Sequence, residues 1–368
     1  MPCKSWQLER GLIRWKLMGV SKPTKSGDVI YFECTNNKPF PEALVYVWDI
    51  DKTYLDTQFE TLRGLFRTAF EKAFQKRNVP GTATLIRALE ATKTASKNLP
   101  IYFISASPPQ MASKIFQKMQ IDRISPWGVY FKDNLKNFRP RKFGRLKHHV
   151  GFKVQALLEL RKQLSEKNRL ILFGDDSESD AVIYSLFSDI CCRRISVREI
   201  LSLLEALHVQ PEQRQKILRL QREIPESDPV EKIYINLVAD TDPDYYGKFG
   251  RRVLATFTTF QAALDLFQDN RIDQTSLLTV AQDLLKNYGF TPEELAKSFE
   301  DLHKRGFLKS PTQNQVLPIL KEQGMVPDHY APSFIPSQTL QKLGEKILGL
   351  DLEEPWVPTH IDYLHDFR

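Results

Sequence analysis

Few cysteines and no long apolar run exclude several classes of protein. The 368 residues include only four cysteines, too few for a disulfide framework, and none has the C-x-x-C or histidine-rich spacing of a zinc site. No stretch approaches the roughly 18 apolar residues that a membrane-spanning helix needs. Residues 1–16 carry charges throughout and lack the apolar stretch of a signal peptide. No internal repeat is evident, and we expect a protein of the reducing cytoplasm without an integral membrane segment.

The composition is that of an ordinary globular protein with a modest excess of positive charge. Apolar residues make up 42% of the chain and charged residues 26%, enough to bury one large core or two smaller ones. The net charge of +7 favours an anionic partner, although only weakly. The pattern predicts an N-terminal segment with a candidate hairpin (1–39), an α/β domain (40–205) and a mainly α-helical domain of unknown role (206–368). Within the last part, IYINLV is a candidate strand, and VLATFTTFQAALDLFQ is predicted to be helical from Val253.

Apolar strands alternate with helices over residues 40–205. Four short runs have the residue types of buried strands, and DICCRRI (189–195) is a candidate fifth. The four runs are LVYVW from Leu44, IYFIS from Ile101, WGVYF from Trp127 and RLILF from Arg169. Helical patterns of roughly 10–20 residues separate them, which predicts a Rossmann-like, doubly wound parallel sheet. Right-handed crossovers then bring the carboxyl ends of the strands to one edge.

Residues suited to phosphoryl transfer follow these strands. Asp49 and Asp51 follow the first strand in DIDKT, and Ser105 ends the second. Lys153 lies in the first turn of a helix, and Asp175 begins the acidic run of GDDSESD after the fourth strand. An anionic phosphate repels a carboxylate nucleophile, so covalent phosphoryl transfer needs a cation and a metal ion close by. Carboxylate oxygens suit Mg²⁺, and hydroxyl and ammonium groups bind phosphoryl oxygens. These residue types in this order therefore indicate phosphoryl transfer.

This ordered set resembles the haloacid dehalogenase (HAD) superfamily of phosphohydrolases over roughly residues 40–200. The segments PGTATLIRAL, YFISASP, PWGVYFKDN and GDDSESDAVIY are similar to the catalytic domain of actin-patch phosphatidate phosphatases and their bacterial relatives. The resemblance implies a HAD-like fold and a Mg²⁺-dependent phosphatase that hydrolyses a phosphomonoester through an aspartyl-phosphate intermediate. Residues 54–80 are too few for a large cap domain, so we expect a small cap or none, and a site open to bulky substrates.

The resemblance also implies a role for each active residue. Asp49 would be the nucleophile, and Asp51 would protonate the leaving group and then activate water. Thr53 would support this loop. Ser105 would bind the phosphoryl group, and Lys153 would balance its charge.

The metal site implied by the resemblance is made of acidic residues. Mg²⁺ would be bound by Asp49, by the main-chain oxygen of Asp51 and by Asp175. Asp180 would be a further ligand or an orienting group, although it could equally cap the helix that follows it. Asp176 is the alternative to Asp180 for completing the site, and an exposed neighbour is the simpler interpretation of it.

Three departures from the subfamily pattern leave the substrate open. Lys52 stands where an acid is usual, Ala106 replaces a common Asn, and residues 176–177 are Asp-Ser where Ser-Gly is usual. None of these changes removes a chemical group from the implied mechanism.

A basic segment precedes the helix of Lys153. Residues 132–149 contain seven Lys or Arg residues, two His and one acid, a pattern typical either of a solvated loop or of a surface for anions. The candidate substrate-binding residues are Arg139, Arg141, Lys142, Arg145 and Lys147. Lys147 and Lys162 also compete with Lys153 for the role of charge balance.

Three functions are compatible with the sequence. The first is a phosphatase of phosphatidate or another anionic lipid, which would place a cytoplasmic protein at the periphery of a membrane. The second is a phosphatase of soluble or nucleic-acid-end substrates, although no motif requires nucleic-acid binding. The third is an interaction protein on an inactive HAD platform. The sequence leaves the oligomeric state open.

Overall fold

The strands of the structure form one sheet. A computed structural model describes residues 23–35, 37–56, 77–91, 99–133, 147–238, 241–333 and 356–366. Its strands are β1 (Thr24–Ser26), β2 (Val29–Glu33), β3 (Leu44–Asp49), β4 (Ile101–Ser105), β5 (Gly128–Lys132), β6 (Arg169–Asp175), β7 (Val230–Asn236) and β8 (Val253–Thr256). They lie in the order β1-β2-β5-β4-β3-β6-β7-β8. β1 and β2 form an antiparallel hairpin at one edge, and β2 also pairs antiparallel with β5. The other six strands, β3 to β8, are parallel to one another.

Helices cover both faces of this sheet, which confirms the predicted doubly wound α/β fold. The helices are α1 (Thr82–Ala91), α2 (Ala112–Ile121), α3 (Lys147–Gln163), α4 (Asp180–Cys191), α5 (Val197–Ala206), α6 (Pro211–Glu223), α7 (Thr259–Gln268), α8 (Gln274–Asn287), α9 (Pro292–Lys304) and α10 (Ser310–Glu322). None of these helices is both long and apolar enough to cross a membrane.

Alternation along β3 divides the core into two layers. Successive side chains of a strand point to opposite faces, so Tyr46 and Trp48 pack with α1, α2 and α7–α10, while Val45 and Val47 pack with α3–α6. On the first face the Trp48 ring stacks on Phe173 with ring centroids 3.7 Å apart, and Phe173 stacks on Tyr234 at 4.8 Å. This row of rings joins β3, β6 and β7 directly beneath the strand ends.

Two predicted elements differ from the structure. DICCRRI does not form a strand, because α4 continues to Cys191 and the segment beyond it turns at Arg193, where φ is 59°. The helix predicted from Val253 begins at Thr259, because residues 253–256 form β8 instead. Residues 253–256 are buried, as is every residue of α4 up to Cys191, and burial on all sides removes the periodicity that separates a strand from a helix.

The sheet continues past residue 205. β7 pairs in parallel with β6, and β8 pairs in parallel with β7. The boundary between an α/β domain and a helical domain at residue 205 stays a prediction, and the structure places strands of both parts side by side.

Candidate active site

Three buried aspartates meet at the carboxyl edge of the sheet. Asp49 ends β3, Asp175 ends the neighbouring β6, and Asp180 lies in the first turn of α4. One carboxylate oxygen from each lies within 4.8 Å of the others, and each residue is at most 1% exposed. Parallel pairing of β3 with β6 produces this arrangement, because parallel strands end at the same edge.

Lys153 lies among these carboxylates. Its Nζ atom is 2.8 Å from Asp49 Oδ1 and 3.0 Å from Glu178 Oε2, and it also contacts Asp180. His149, one turn earlier on α3, places Nδ1 3.2 Å from the same Glu178 oxygen. Sequence reasoning missed Glu178 and His149. The i, i+4 spacing of His149 and Lys153 was the available signal, since it puts both on one helix face.

The carboxylate of Asp51 points towards β4 rather than into the aspartate cluster. Its Oδ2 atom accepts hydrogen bonds from Ser105 Oγ at 3.3 Å and from Ser107 Oγ at 3.1 Å. The main-chain N–H of Ser107 donates to Ser105 Oγ at 3.1 Å, which fixes the serine hydroxyl. Ser107 was not predicted. The structure thus separates the two acids of DIDKT, with Asp49 beside Lys153 and Asp51 beside the serines.

A tight turn after β3 holds these two acids. Lys52 has a left-handed φ of 59°, and the N–H of Leu55 donates to the carbonyl of Ile50 at 2.8 Å. The hydroxyl of Thr53 lies 3.4 Å from Asp175 Oδ2 and donates to it. Thr53 therefore links the turn after β3 to the turn after β6, and its supporting role in catalysis stays a prediction.

The turn from β6 to α4 brings Asp180 back onto Asp175. The N–H of Asp175 donates to Asp180 Oδ2 at 3.1 Å, and the N–H of Ser177 donates to Asp175 Oδ1 at 2.7 Å. Ser179 makes the return possible with a left-handed φ of 60°. A Cβ atom at Gly174 would overlap the side chain of Asp180, so this close approach requires glycine.

Asp176 points away from the cluster. Its two carboxylate oxygens accept hydrogen bonds from the N–H of Val238 at 2.8 Å and from the hydroxyl of Thr241 at 2.7 Å. Of the two acids left open by the sequence, Asp180 therefore lies in the cluster and Asp176 does not.

Burial and mutual repulsion make ionisation of the clustered aspartates unfavourable unless a cation is close by. Burial raises the pKa of Asp49 well above its usual value, and the neighbouring carboxylates raise it further while Lys153 opposes them. Burial and the carboxylates of Asp180 and Glu178 likewise raise the pKa of Asp175. Burial lowers the pKa of Lys153, but the surrounding carboxylates outweigh it and raise this pKa well above its ordinary value. Burial also opposes ionisation of Glu178, yet Lys153 and His149 hold its pKa low.

The residues present fit a divalent cation. Lys153 supplies one positive charge against the carboxylates of Asp49, Asp175, Glu178 and Asp180. Although the ammonium of Lys153 is close, neither oxygen of Asp49 accepts a well-aligned hydrogen bond from the residues that the structure describes. Such buried, unsatisfied carboxylate oxygens suit a metal ion, which would also reverse the raised pKa values of its ligands.

The predicted basic surface falls mostly outside the described residues. Arg139, Arg141, Lys142 and Arg145 lie outside them, and Lys147 is described only as the first residue of α3. Their role in substrate binding stays a prediction.

Comparison with known proteins identifies the part of the chain that carries this site. Residues 44–200 match the family model described as the catalytic domain of the phosphatidate phosphatase APP1. These residues therefore carry a catalytic domain of the phosphatidate phosphatase type. The match confirms the predicted family and the assignment as a phosphoric monoester hydrolase, and it favours an enzyme over an interaction protein.

Part of the chain also resembles a solved structure. This is a crystal structure of a protein described as a HAD-like phosphatase from Mesorhizobium loti, with 12% sequence identity and a TM-score of 0.31. The similarity covers 43% of this chain and 75% of that chain. No curated protein matches the sequence.

Proposed function

We propose that the protein is a Mg²⁺-dependent phosphatidate phosphatase that works through an aspartyl-phosphate intermediate on Asp49. The observation that carries the mechanism is the pair of buried Asp49 oxygens without hydrogen-bond partners among the described residues, beside Lys153 and two further aspartates. A carboxylate oxygen that accepts no hydrogen bond is available for attack on phosphorus. Mg²⁺ held by Asp49, Asp175 and Asp180, with the main-chain oxygen of Asp51, would neutralise charge on the phosphoryl group.

The first chemical step transfers the phosphoryl group to Asp49. A carboxylate oxygen of Asp49 forms a bond to phosphorus as the bond from phosphorus to the leaving oxygen breaks. Asp51 gives its proton to that leaving oxygen, so an alcohol departs. Lys153 counters the negative charge of the phosphoryl oxygens, and the hydroxyl of Ser105 turns from Asp51 to one of those oxygens.

The second step releases inorganic phosphate. Asp51, now ionised, accepts a proton from a water molecule as the water oxygen forms a bond to phosphorus. The bond from phosphorus to Asp49 then breaks and returns the free carboxylate. The hydrogen bond from the hydroxyl of Ser107 holds Asp51 in place for both proton transfers.

Variants of the two acids test this mechanism. Asp49→Asn should lower phosphate release from p-nitrophenyl phosphate at least about 1,000-fold, because the amide oxygen is a poor nucleophile. Asp51→Asn should retain attack on this good leaving group but slow hydrolysis of the intermediate, so that phosphate remains on the protein. Acid quenching followed by mass spectrometry detects that phosphate. Asp328→Asn, a change at an exposed acid far along the chain, is the control.

Two results would contradict the assignment of roles. One is wild-type turnover by Asp49→Asn, and the other is identical behaviour of the two variants without a trapped phosphoprotein.

The lipid substrate is supported by the name of the matching family and by the basic segment 132–149. Each cation near an anionic bilayer contributes on the order of 1 kcal/mol to binding, and salt screens this attraction. Replacing Arg139, Arg141, Lys142 and Arg145 by Gln should therefore raise the KM for phosphatidate in anionic vesicles. Turnover of p-nitrophenyl phosphate reports whether the catalytic centre of the variant is intact.

Wild-type behaviour decides between lipid and soluble substrates. If the wild-type protein does not bind anionic vesicles at low salt and prefers soluble phosphomonoesters, the lipid assignment is wrong and a soluble-substrate phosphatase replaces it.

A further inference from the structure

A segment outside the matched phosphatase domain touches both acidic turns. The segment consists of Asn236, which ends β7, and of Val238 and Thr241 beyond it, whereas the family match ends at residue 200. The side-chain amide of Asn236 donates to the carbonyl of Lys52 at 3.0 Å, and the carbonyl of Asn236 accepts from the N–H of Asp176 at 3.2 Å. Asn236 therefore joins the turn that carries Asp49 to the turn that carries Asp175.

The same segment binds the carboxylate of Asp176. The N–H of Val238 and the hydroxyl of Thr241 each donate to a different oxygen of this carboxylate, at 2.8 and 2.7 Å. Hydrogen bonds to an ionised acceptor are stronger than those between neutral groups. Asp176 is adjacent to Asp175, so these contacts restrain the main chain that presents Asp175 to the cluster.

Both turns need such a restraint. The carboxylates of Asp49, Asp175 and Asp180 repel one another, and oxygens from all three lie within 4.8 Å. Lys52 and Ser179 adopt left-handed backbone conformations that are costly for residues other than glycine. Without contacts from neighbouring structure, the turns would relax and the carboxylates would separate.

We propose that Asn236 and Thr241 are positioning residues of the phosphatase. They hold the turn at Lys52 and the turn at Asp176 at the separation that a divalent cation requires, Asn236 through the main chain and Thr241 through Asp176. The inference rests on the metal site of the proposed function. It makes the site depend on residues that lie beyond the matched domain.

Metal binding by the full-length protein tests the proposal directly. Thr241→Val removes the hydroxyl donor at nearly constant volume, Thr241→Ser retains it, and Asn236→Ala removes the amide donor. Mutation of a group that orients a metal ligand typically lowers metal affinity about 10- to 100-fold. We therefore expect Thr241→Val and Asn236→Ala to weaken Mn²⁺ binding about 10-fold, measured by electron paramagnetic resonance with Mg²⁺ as competitor, and Thr241→Ser to restore binding.

A matched control separates positioning from general stability. Thr256 is buried on β8, and its hydroxyl donates to the carbonyl of Ile235 at 3.4 Å rather than to either acidic turn. Thr256→Val should leave Mn²⁺ affinity at the wild-type value, and urea unfolding of the metal-free proteins shows whether each variant is folded. If Thr241→Val and Thr256→Val lose affinity equally, the proposal is overturned.

A double-mutant cycle tests whether Thr241 acts through Asp176. The double variant Asp176→Ala/Thr241→Val should bind Mn²⁺ about as weakly as Asp176→Ala alone. Asp176→Ala already removes the hydrogen bond between the two side chains, so Thr241→Val has nothing further to break. Additive losses, or wild-type affinity in Thr241→Val, would overturn the inference and leave the proposed function standing. A wild-type protein that binds neither Mn²⁺ nor Mg²⁺ would overturn the proposed function and this inference with it.

Discussion

Lys153 is the residue on which the charge balance of the site depends. It is fully buried, and its ammonium contacts Asp49, Glu178 and Asp180. A buried ion pair need not add much net stability, but removal of one partner leaves the other charges buried and uncompensated. Lys162, on the same helix, pairs with Glu223 at 2.7 Å on the protein surface, where solvent screens the charges.

Lys153→Met should therefore destabilise the metal-free protein much more than Lys162→Met. We expect a loss of about 3–5 kcal/mol in the free energy of unfolding for Lys153→Met. Lys162→Met should change it by no more than about 0.5 kcal/mol. Urea unfolding in the presence of EDTA measures both values. Equal losses would mean that the buried carboxylates do not depend on Lys153.

The turn between β6 and α4 shows how one element can shape the site. Asp180 heads α4 and folds back so that its carboxylate accepts the N–H of Asp175 at 3.1 Å. The side chain of Asp180 lies so close to Gly174 at the end of β6 that a side chain at position 174 has no room. The glycine therefore serves the approach of Asp180 to Asp175.

Gly174→Ala should weaken metal binding by displacing Asp180. Gly289→Ala is the control, because Gly289 has a φ of +73° in open space, so alanine there adds backbone strain without contacting the site. We expect both variants to lose stability, and Gly174→Ala alone to lose affinity for Mn²⁺, by about 10-fold or more. Calorimetric titration compares the affinities, and an unchanged affinity in Gly174→Ala would show that Asp180 is not needed for metal binding.

At the scale of the whole molecule, the chain beyond residue 205 completes the sheet that carries the site. β7 covers the edge of β6, and Tyr234 stacks on Phe173 at 4.8 Å. Helices α7–α10 bury the face of the sheet that contains Trp48. The matched phosphatase domain therefore shares its core with residues that the family match does not include.

A chain truncated after residue 205 should fail to form a soluble phosphatase. Truncation would expose the edge of β6 and the apolar face around Trp48, and such surfaces promote aggregation. Solubility, near-ultraviolet circular dichroism and phosphate release compare the fragment with the full-length protein. A soluble, active fragment would support the predicted boundary at residue 205 and contradict this expectation.

Local sequence was sufficient to predict the parallel sheet and the principal acidic residues. The strands ending at Asp49, Ser105 and Asp175 are short apolar runs followed at once by polar residues, and strand alternation with helices specifies a common edge. The same local reasoning was wrong for DICCRRI and for residues 253–256, since the helix that ends at Cys191 and the strand 253–256 are buried on all sides, which hides the difference between strand and helix.

Tertiary structure decided which side chains meet, because hydrogen bonds between distant segments leave no periodic signal in the chain. The sequence determined that Asp49, Asp51 and Asp175 share an edge, since this follows from strand ends and crossover handedness. It did not determine that Asp51 turns to Ser107 or that Asp176 is held by Thr241. Nor did it show that Asn236, 184 positions beyond Lys52, closes the turn after β3. Those pairings depend on the order of strands in the sheet, which places β7 beside β6.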